Sequence, residues 1–86
     1  MMQNAPLSAA DALREGLDEL AARPFSYRPP AGRFRQLRLW LEALQLDTAD
    51  FSLAVNRLAN AQCYLKSGEH GAARYELRLL RRSLEK

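Results

Sequence analysis

Residues 51–84, which read FSLAVNRLANAQCYLKSGEHGAARYELRLLRRSL, contain the longest uninterrupted helical pattern in the chain. Apolar residues recur there every three or four positions, the spacing that places side chains on one face of an α-helix. The pattern is interrupted at residues 67–71 (SGEHG), where Gly68 suits the left-handed backbone conformation that ends many helices. The stretch therefore predicts a hairpin of two helices, onto which the rest of the chain packs.

A first helix is predicted before the hairpin, after a loose tail at residues 1–6. Ser8 is a candidate N-cap, because a serine side chain can accept a hydrogen bond from the first turn, and Asp11 follows it at capping-box spacing. Pro24 should end the helix, since the residue before a proline disfavours helical geometry. Gly16 is expected to weaken the middle of this helix by up to about 1 kcal/mol relative to alanine.

Residues 24–31 (PFSYRPPA) are predicted to form a Pro-rich crossover between the first helix and the rest of the chain. The three prolines favour an extended, partly polyproline path. Phe25 and Tyr27 are unusual in a plain linker, and two interpretations stay open. Either these rings pin the crossover to the helical core, or the segment is a docking site that exposes both aromatics with Arg28.

The second and third helices are predicted between the crossover and the turn. The second helix begins at Gly32, and its apolar side chains cover more than one face, because Leu39 and Leu46 lie outside the main stripe. Such an extra strip is either covered by a neighbouring helix or available to a partner. The third helix, at about residues 49–66, carries Gln62 within its apolar stripe, where a buried amide needs hydrogen-bond partners.

The composition fits one small all-α domain. The chain has 86 residues, of which 48% are hydrophobic and 27% charged, as in globular proteins and unlike disordered ones. We predict a single domain over residues 1–86, a bundle of about four helices with the crossover after the first. The one cysteine excludes an internal disulfide, and no apolar run approaches the ~18 residues of a membrane span. A cytoplasmic protein without a membrane segment is therefore expected.

The sequence contains no recognisable catalytic or ligand-binding signature. Metal sites in proteins use three or four ligands, whereas the chain has one cysteine, Cys63, and one histidine, His70, which is predicted to lie in the turn. Cys63 is expected to be semi-buried, and buried thiols are normally unreactive. The sequence contains neither of the Gly-rich motifs that bind nucleotide phosphates, G-x-x-x-x-G-K-[ST] and G-x-G-x-x-G. We therefore expect a protein that is not an enzyme and holds no metal or cofactor.

The run from Ala61 to Ala73 resembles one helical hairpin of the tetratricopeptide family. In that family a small residue and an aromatic residue precede a glycine turn, and a small alanine follows where the two helices touch. Ala61, Tyr64, Gly68 and Ala73 stand at those places. The resemblance covers about residues 57–84 and does not extend to a second repeat. It implies a scaffold that binds peptides or helices, as in small tetratricopeptide-like secretion chaperones.

The positive charge of the chain raises the question of an acidic partner. The net charge is +3 and the pI about 9.5, and arginines cluster at the start of the second helix and along the fourth. Two such clusters would suit a phosphate backbone, and the short loops could form a helix-turn-helix. The helix that would then read the DNA lacks the Ser, Thr, Asn and Gln side chains that contact base edges. Alternatively, the arginines lie on solvated helix faces or pair with the acidic first helix.

The leading prediction is a non-catalytic protein-binding module, such as a small adaptor, chaperone or inhibitor. An apolar strip framed by arginines would hold an acidic or amphipathic segment of another protein, because aromatic residues and arginine are enriched at interface centres. Self-association through the same strip, giving a homodimer, is the simplest variant, and a small basic nucleic-acid-binding regulator is the alternative. The predicted partner-binding residues are Leu39, Leu46, Arg74, Tyr75, Arg78, Leu79, Arg81 and Arg82.

Overall fold

Four helices make up most of the structure. The computed structural model describes residues 8–23, 29–30 and 32–85. The helices are α1 (Ala9–Ala22), α2 (Arg33–Ala43), α3 (Thr48–Lys66) and α4 (His70–Ser83). The described residues contain no strand, so the predicted all-α fold with about four helices is confirmed. The predicted tail at residues 1–6 and most of the predicted crossover, including Phe25, Tyr27 and Arg28, lie outside the described residues.

The helices form a closed ring around one core. Each helix packs against the next along the chain, and α4 returns to pack against α1. The two diagonal pairs, α1 with α3 and α2 with α4, have no described Cα atoms within 8 Å of each other. Burying one leucine is worth about 1.5–3 kcal/mol, so the apolar core is the main source of stability. The buried core residues are Leu13, Leu17, Leu20, Phe34, Leu37, Leu41, Ala54, Leu58, Ala61, Ala73, Leu77 and Leu80.

Side-chain caps fix where α1 and α3 begin. The Ser8 hydroxyl accepts a hydrogen bond from the backbone N–H of Asp11 at 3.1 Å, which confirms the predicted N-cap. The Asp47 carboxylate accepts one from the backbone N–H of Asp50 at 2.8 Å, so α3 begins at Thr48. Each cap satisfies a donor that the first turn of a helix otherwise leaves without an intrahelical partner.

The turn between α3 and α4 is a Schellman motif. Gly68 has φ +81°, as predicted for a glycine just past a helix end. Its N–H donates to the Leu65 carbonyl at 3.2 Å, and the Glu69 N–H donates to the Tyr64 carbonyl at 2.8 Å. The turn is shorter than predicted, because His70 is already the first residue of α4 and does not lie in the connection.

The connection between α2 and α3 was not anticipated in its details. α2 ends at Ala43, and Gln45 adopts φ +57° without being a glycine. This reversal directs the chain back towards the bundle, so Leu46 is half-buried and packs against the core. The expectation that Leu46 extends an outer apolar strip of the second helix is therefore wrong, because the helix has already ended.

Gly16 lies at a close contact between α1 and α2. It is buried, and a Cβ atom placed on it would lie 2.7 Å from Leu37 Cδ2 and 3.4 Å from Trp40 Cζ3. Ordinary carbon–carbon contacts are about 3.5–4.0 Å. The glycine predicted as a weak point of α1 is thus also the residue that allows the second helix to pack closely.

Candidate functional site

Two arginines of α4 hold the contact between α4 and α1. The Nε of Arg81 lies 3.2 Å from both carboxylate oxygens of Asp18, and its Nη1 lies 2.9 Å from Glu85 Oε2. Arg74 Nη2 donates to the backbone carbonyl of Arg23, the C-cap of α1, at 2.8 Å. Two of the predicted partner-binding arginines therefore already bind groups of their own chain.

The acidic first helix also attracts an arginine from α2. Arg33 Nη2 lies 3.3 Å from Glu19 Oε1, while Arg23 within the α1 cap reaches the other Glu19 oxygen at 3.5 Å. Together with the Arg81–Asp18 pair, this contact shows that part of the positive charge pairs with α1. The arginines that lack such a contact among the described residues keep their charge available for a partner.

The outer face of α4 is defined as Tyr75, Arg78, Leu79 and Arg82, none of which belongs to the buried core. These residues are spaced i, i+3, i+4 and i+7, which places them on one side of the helix. Tyr75 is 62% exposed and Leu79 is half-buried. Arg78 and Arg82 are exposed, and neither forms an ion pair with any residue that the structure describes. The face thus combines an aromatic ring, an aliphatic side chain and two uncommitted guanidinium groups.

The neighbouring part of α3 adds an exposed leucine that the sequence analysis missed. Arg57 Nη1 lies 3.4 Å from Glu76 Oε1 and ties α3 to α4 beside the outer face. Leu53 lies one turn before Arg57, and Leu79 lies three residues after Glu76. Because the two helices are antiparallel, both leucines lie at the same end of the ion pair. Leu53 is 52% exposed, and its position away from the α3 stripe was a usable signal.

A groove of about 340 Å³, here called the end groove, opens where α2 and α4 end and α3 begins. Its walls are mainly apolar and come from Leu44, Leu46, Leu53, Ala54 and Leu84. Asp50 and Arg57 supply charged groups to the α3 wall, and Ser83 continues the wall on α4. Leu46, predicted as a partner-binding residue, therefore has a place in this groove and not beside Leu39.

The predicted strip of Leu39, Leu46, Tyr75 and Leu79 is distributed over separate surfaces. Leu39 is 56% exposed on α2, whereas Tyr75 and Leu79 lie on α4, the helix diagonally opposite. Leu46 lies in the connection between α2 and α3. The structure therefore brings Tyr75 and Leu79 together with two arginines, and it leaves Leu39 elsewhere.

Two expectations for α3 are corrected by the structure. Gln62 is half-buried and lines a shallow groove of about 230 Å³ between α2 and α3, with Phe34 and Val55 among its neighbours. It is not a buried amide, and no described polar residue is fully buried. Cys63 is exposed, and not semi-buried as expected. It lies on the side of α3 opposite the buried Ala54 and Ala61.

Within the described part of the chain, no three His, Cys, Asp or Glu side chains are grouped closely enough to hold a metal ion. None of the four described helices combines the length and the apolar composition needed to cross a bilayer.

Comparison of the chain with protein-family models, with curated proteins and with solved structures gave no match. The resemblance of the α3–α4 hairpin to a tetratricopeptide unit therefore stays a prediction.

Proposed function

We propose that the chain is a non-catalytic, cytoplasmic protein-binding module that holds an acidic, amphipathic segment of another protein on the outer face of α4. One observation carries the proposal. Arg74 and Arg81 bind groups of α1, whereas Arg78 and Arg82 stand exposed beside Tyr75 without a carboxylate partner among the described residues. An adaptor, a chaperone and an inhibitor all fit this description.

The chemistry of this face suits a helix that carries both apolar and acidic residues. Tyrosine and arginine are enriched at energetically important positions of interfaces, and arginine binds carboxylates through a rigid, bidentate fork. Leu79, half-buried next to Tyr75, gives the partner an apolar contact that excludes water from the ion pairs. The helix-binding role implied by the tetratricopeptide-like spacing of the hairpin supports the same conclusion.

Charge argues for a different protein as the partner and against a second copy of this chain. In a symmetric dimer the same patch occurs on both subunits. Pairing two outer faces of α4 would bring Arg78 and Arg82 of one copy against the same arginines of the other, and like charges at close range are repulsive. An acidic segment removes this repulsion, so we favour it over the homodimer.

The proposal is tested by selecting, from a displayed random library, helical peptides that bind the chain. The peptides are about 15 residues long, a length at which isolated helices become marginally stable. We expect selected peptides to carry an apolar stripe flanked by Asp or Glu. The double variant Arg78→Glu/Arg82→Glu should lose at least about tenfold in affinity, or 1.4 kcal/mol, with unchanged helical circular dichroism. Leu79→Asp should have a similar effect.

Arg35→Glu is the matched control, since Arg35 is an exposed arginine of α2 that forms no ion pair with the described residues. It should leave peptide affinity unchanged. Selection of peptides without acidic residues, or equal losses for the α4 variant and the control, would contradict the proposal.

The same variants distinguish binding of an acidic protein segment from binding of nucleic acid. The exposed arginines of α2 and those of α4 lie on a diagonal pair of helices, which have no described Cα atoms within 8 Å of each other. The two groups of arginines are therefore not on neighbouring helices of the ring. A nucleic-acid-binding chain would show affinity for duplex DNA that falls steeply with salt. In that case Arg35→Glu would weaken binding as the α4 variant does.

A further inference from the structure

The end groove is large enough for a bulky apolar side chain. Its volume is about 340 Å³, whereas an apolar cavity of about 150 Å³ is sufficient to bind benzene. Leu44, Leu46 and Leu84 are half-buried on its walls, and the more exposed Leu53 stands at its mouth. An indole, a phenyl or a leucine side chain entering here would gain contacts with four leucines.

One wall of the groove belongs to α4, the helix that carries Arg78 and Arg82, two exposed arginines without an ion pair among the described residues. Ser83, which lines the groove, directly follows Arg82, and Arg78 lies one turn earlier on α4. Four residues of helix correspond to about 6 Å along its axis. The opposite wall carries Asp50 and Arg57, and Arg57 is already paired with Glu76. The charge on that wall without an ion pair among the described residues is therefore the Asp50 carboxylate. An acidic partner is therefore accommodated on the α4 side of the groove and repelled on the α3 side.

This charge distribution disfavours a second copy as the owner of the inserted side chain. The exposed large apolar residues of the described chain are Leu39, Leu53 and Tyr75. Leu53 belongs to the groove itself, and Leu39 and Tyr75 each lie within one helical turn of an exposed arginine. Inserting either of them would place arginine against Arg82, whereas a segment with acidic flanks places carboxylate there.

We infer that the end groove receives one bulky apolar anchor side chain from the acidic helical segment that lies on the outer face of α4. This inference rests on the proposed function and specifies its partner. The segment carries two carboxylates about one turn apart, facing Arg78 and Arg82. Its aromatic or leucine anchor lies about one further turn along, beyond the carboxylate that faces Arg82.

The groove itself is tested without any partner, by titrating N-acetyl-tryptophanamide into the chain with isotope-labelled leucine methyl groups. Leu46, Leu53 and Leu84 should show saturable chemical-shift changes, with a dissociation constant on the order of 1 mM, as expected for a single small fragment. Leu53→Glu should abolish these changes. Leu39→Glu is the matched control, because Leu39 is similarly exposed, at 56% against 52%, and lies away from the groove. Absence of saturable shifts at the groove would overturn the inference.

The coupling of anchor and charge is tested with two helical peptides that share a pair of glutamates four residues apart and differ in Trp or Ala one turn beyond. The Trp peptide should bind the native chain about tenfold more tightly than the Ala peptide. It should lose this advantage against Leu53→Glu and keep it against Leu39→Glu. Equal binding of the two peptides would overturn the inference and leave the proposed function intact. If neither peptide binds while the groove still takes the amide, both the proposed function and the acidic owner of the anchor are refuted.

Discussion

Replacing Gly16 by alanine tests the close approach of α1 and α2. The substitution adds one methyl group at a buried position, 2.7 Å from Leu37 Cδ2. Leu37 is 0% exposed, so its side chain cannot move into solvent to relieve the contact. Trp40 Cζ3 lies 3.4 Å from the same added methyl group, so the methyl group cannot shift towards Trp40 either. To restore ordinary carbon–carbon contact, either the Leu37 methyl group must shift within the core or the two helices must separate, by roughly 1 Å.

Two opposing terms set the size of the effect. Alanine is favoured over glycine in a helix interior by about 0.8–1.0 kcal/mol. Forcing an extra methyl group into a packed core costs typically about 1–3 kcal/mol. We therefore expect Gly16→Ala to lower the free energy of unfolding by about 1 kcal/mol, or the melting temperature by about 4–8 °C for a domain of this size.

The assay is urea denaturation, followed by circular dichroism and by the fluorescence of Trp40, the one tryptophan of the chain. The matched control is Gly71→Ala, because Gly71 is also helical but nothing lies within 4 Å of its added Cβ atom. The control should stabilise the fold by about 0.4–1 kcal/mol. If Gly16→Ala stabilised the fold as Gly71→Ala does, the packing argument for α1 and α2 would be refuted.

Two further predictions concern the helix connections and the α3–α4 ion pair. Gln45→Gly should raise the free energy of unfolding by about 0.5 kcal/mol, because it relieves φ +57°, whereas Gly68→Ala should lower it by about 1 kcal/mol at φ +81°. If the urea midpoints of Gln45→Gly and Gly68→Ala changed in the same direction, this argument from backbone conformation would be contradicted. A double-mutant cycle with Arg57→Ala and Glu76→Ala should give a coupling of about 1 kcal/mol, above the ~0.3–0.5 kcal/mol of exposed i, i+4 pairs, since both side chains are largely buried. A coupling energy near zero even at low salt, where screening is weakest, would show that the ion pair does not help to join the two helices.

Local features of the fold were predictable from the sequence because they depend on neighbours along the chain. The N-cap at Ser8, the glycine turn at Gly68 and the helical spacing of apolar residues in the α3–α4 hairpin follow from rules that span at most a few residues. These signals were sufficient to predict an all-α bundle.

Features that depend on tertiary neighbours were not predictable in the same way. Gln45 adopts a left-handed conformation without the glycine that usually signals one, so the inward turn to Leu46 was missed. The close contact at Gly16 became visible only when α2 was placed against α1. Leu53 had a usable signal in its position off the α3 stripe, but its role at the end groove required the position of α4.

The division of the arginines illustrates the same limit for the candidate site. Arg74, Arg78, Arg81 and Arg82 form one basic run in the sequence, and helical spacing alone cannot separate them. The position of α1 does separate them, because Asp18 and the carbonyl of Arg23 bind two and leave the other two exposed. The candidate partner-binding surface therefore centres on Arg78 and Arg82, and it now includes Leu53.

The closed ring of helices has a consequence for the order of the chain. Ala10 near the start of α1 and Ser83 at the end of α4 line the same groove, so these two helix ends are neighbours in space. A short linker from Glu85 to Ser8, combined with a cut between α3 and α4, would give a circularly permuted protein that begins with α4. Every helix would keep its two neighbours in the ring, because circular permutation preserves contacts when the joined ends are close. The architecture is thus specified by which helices adjoin, and not by which helix is translated first.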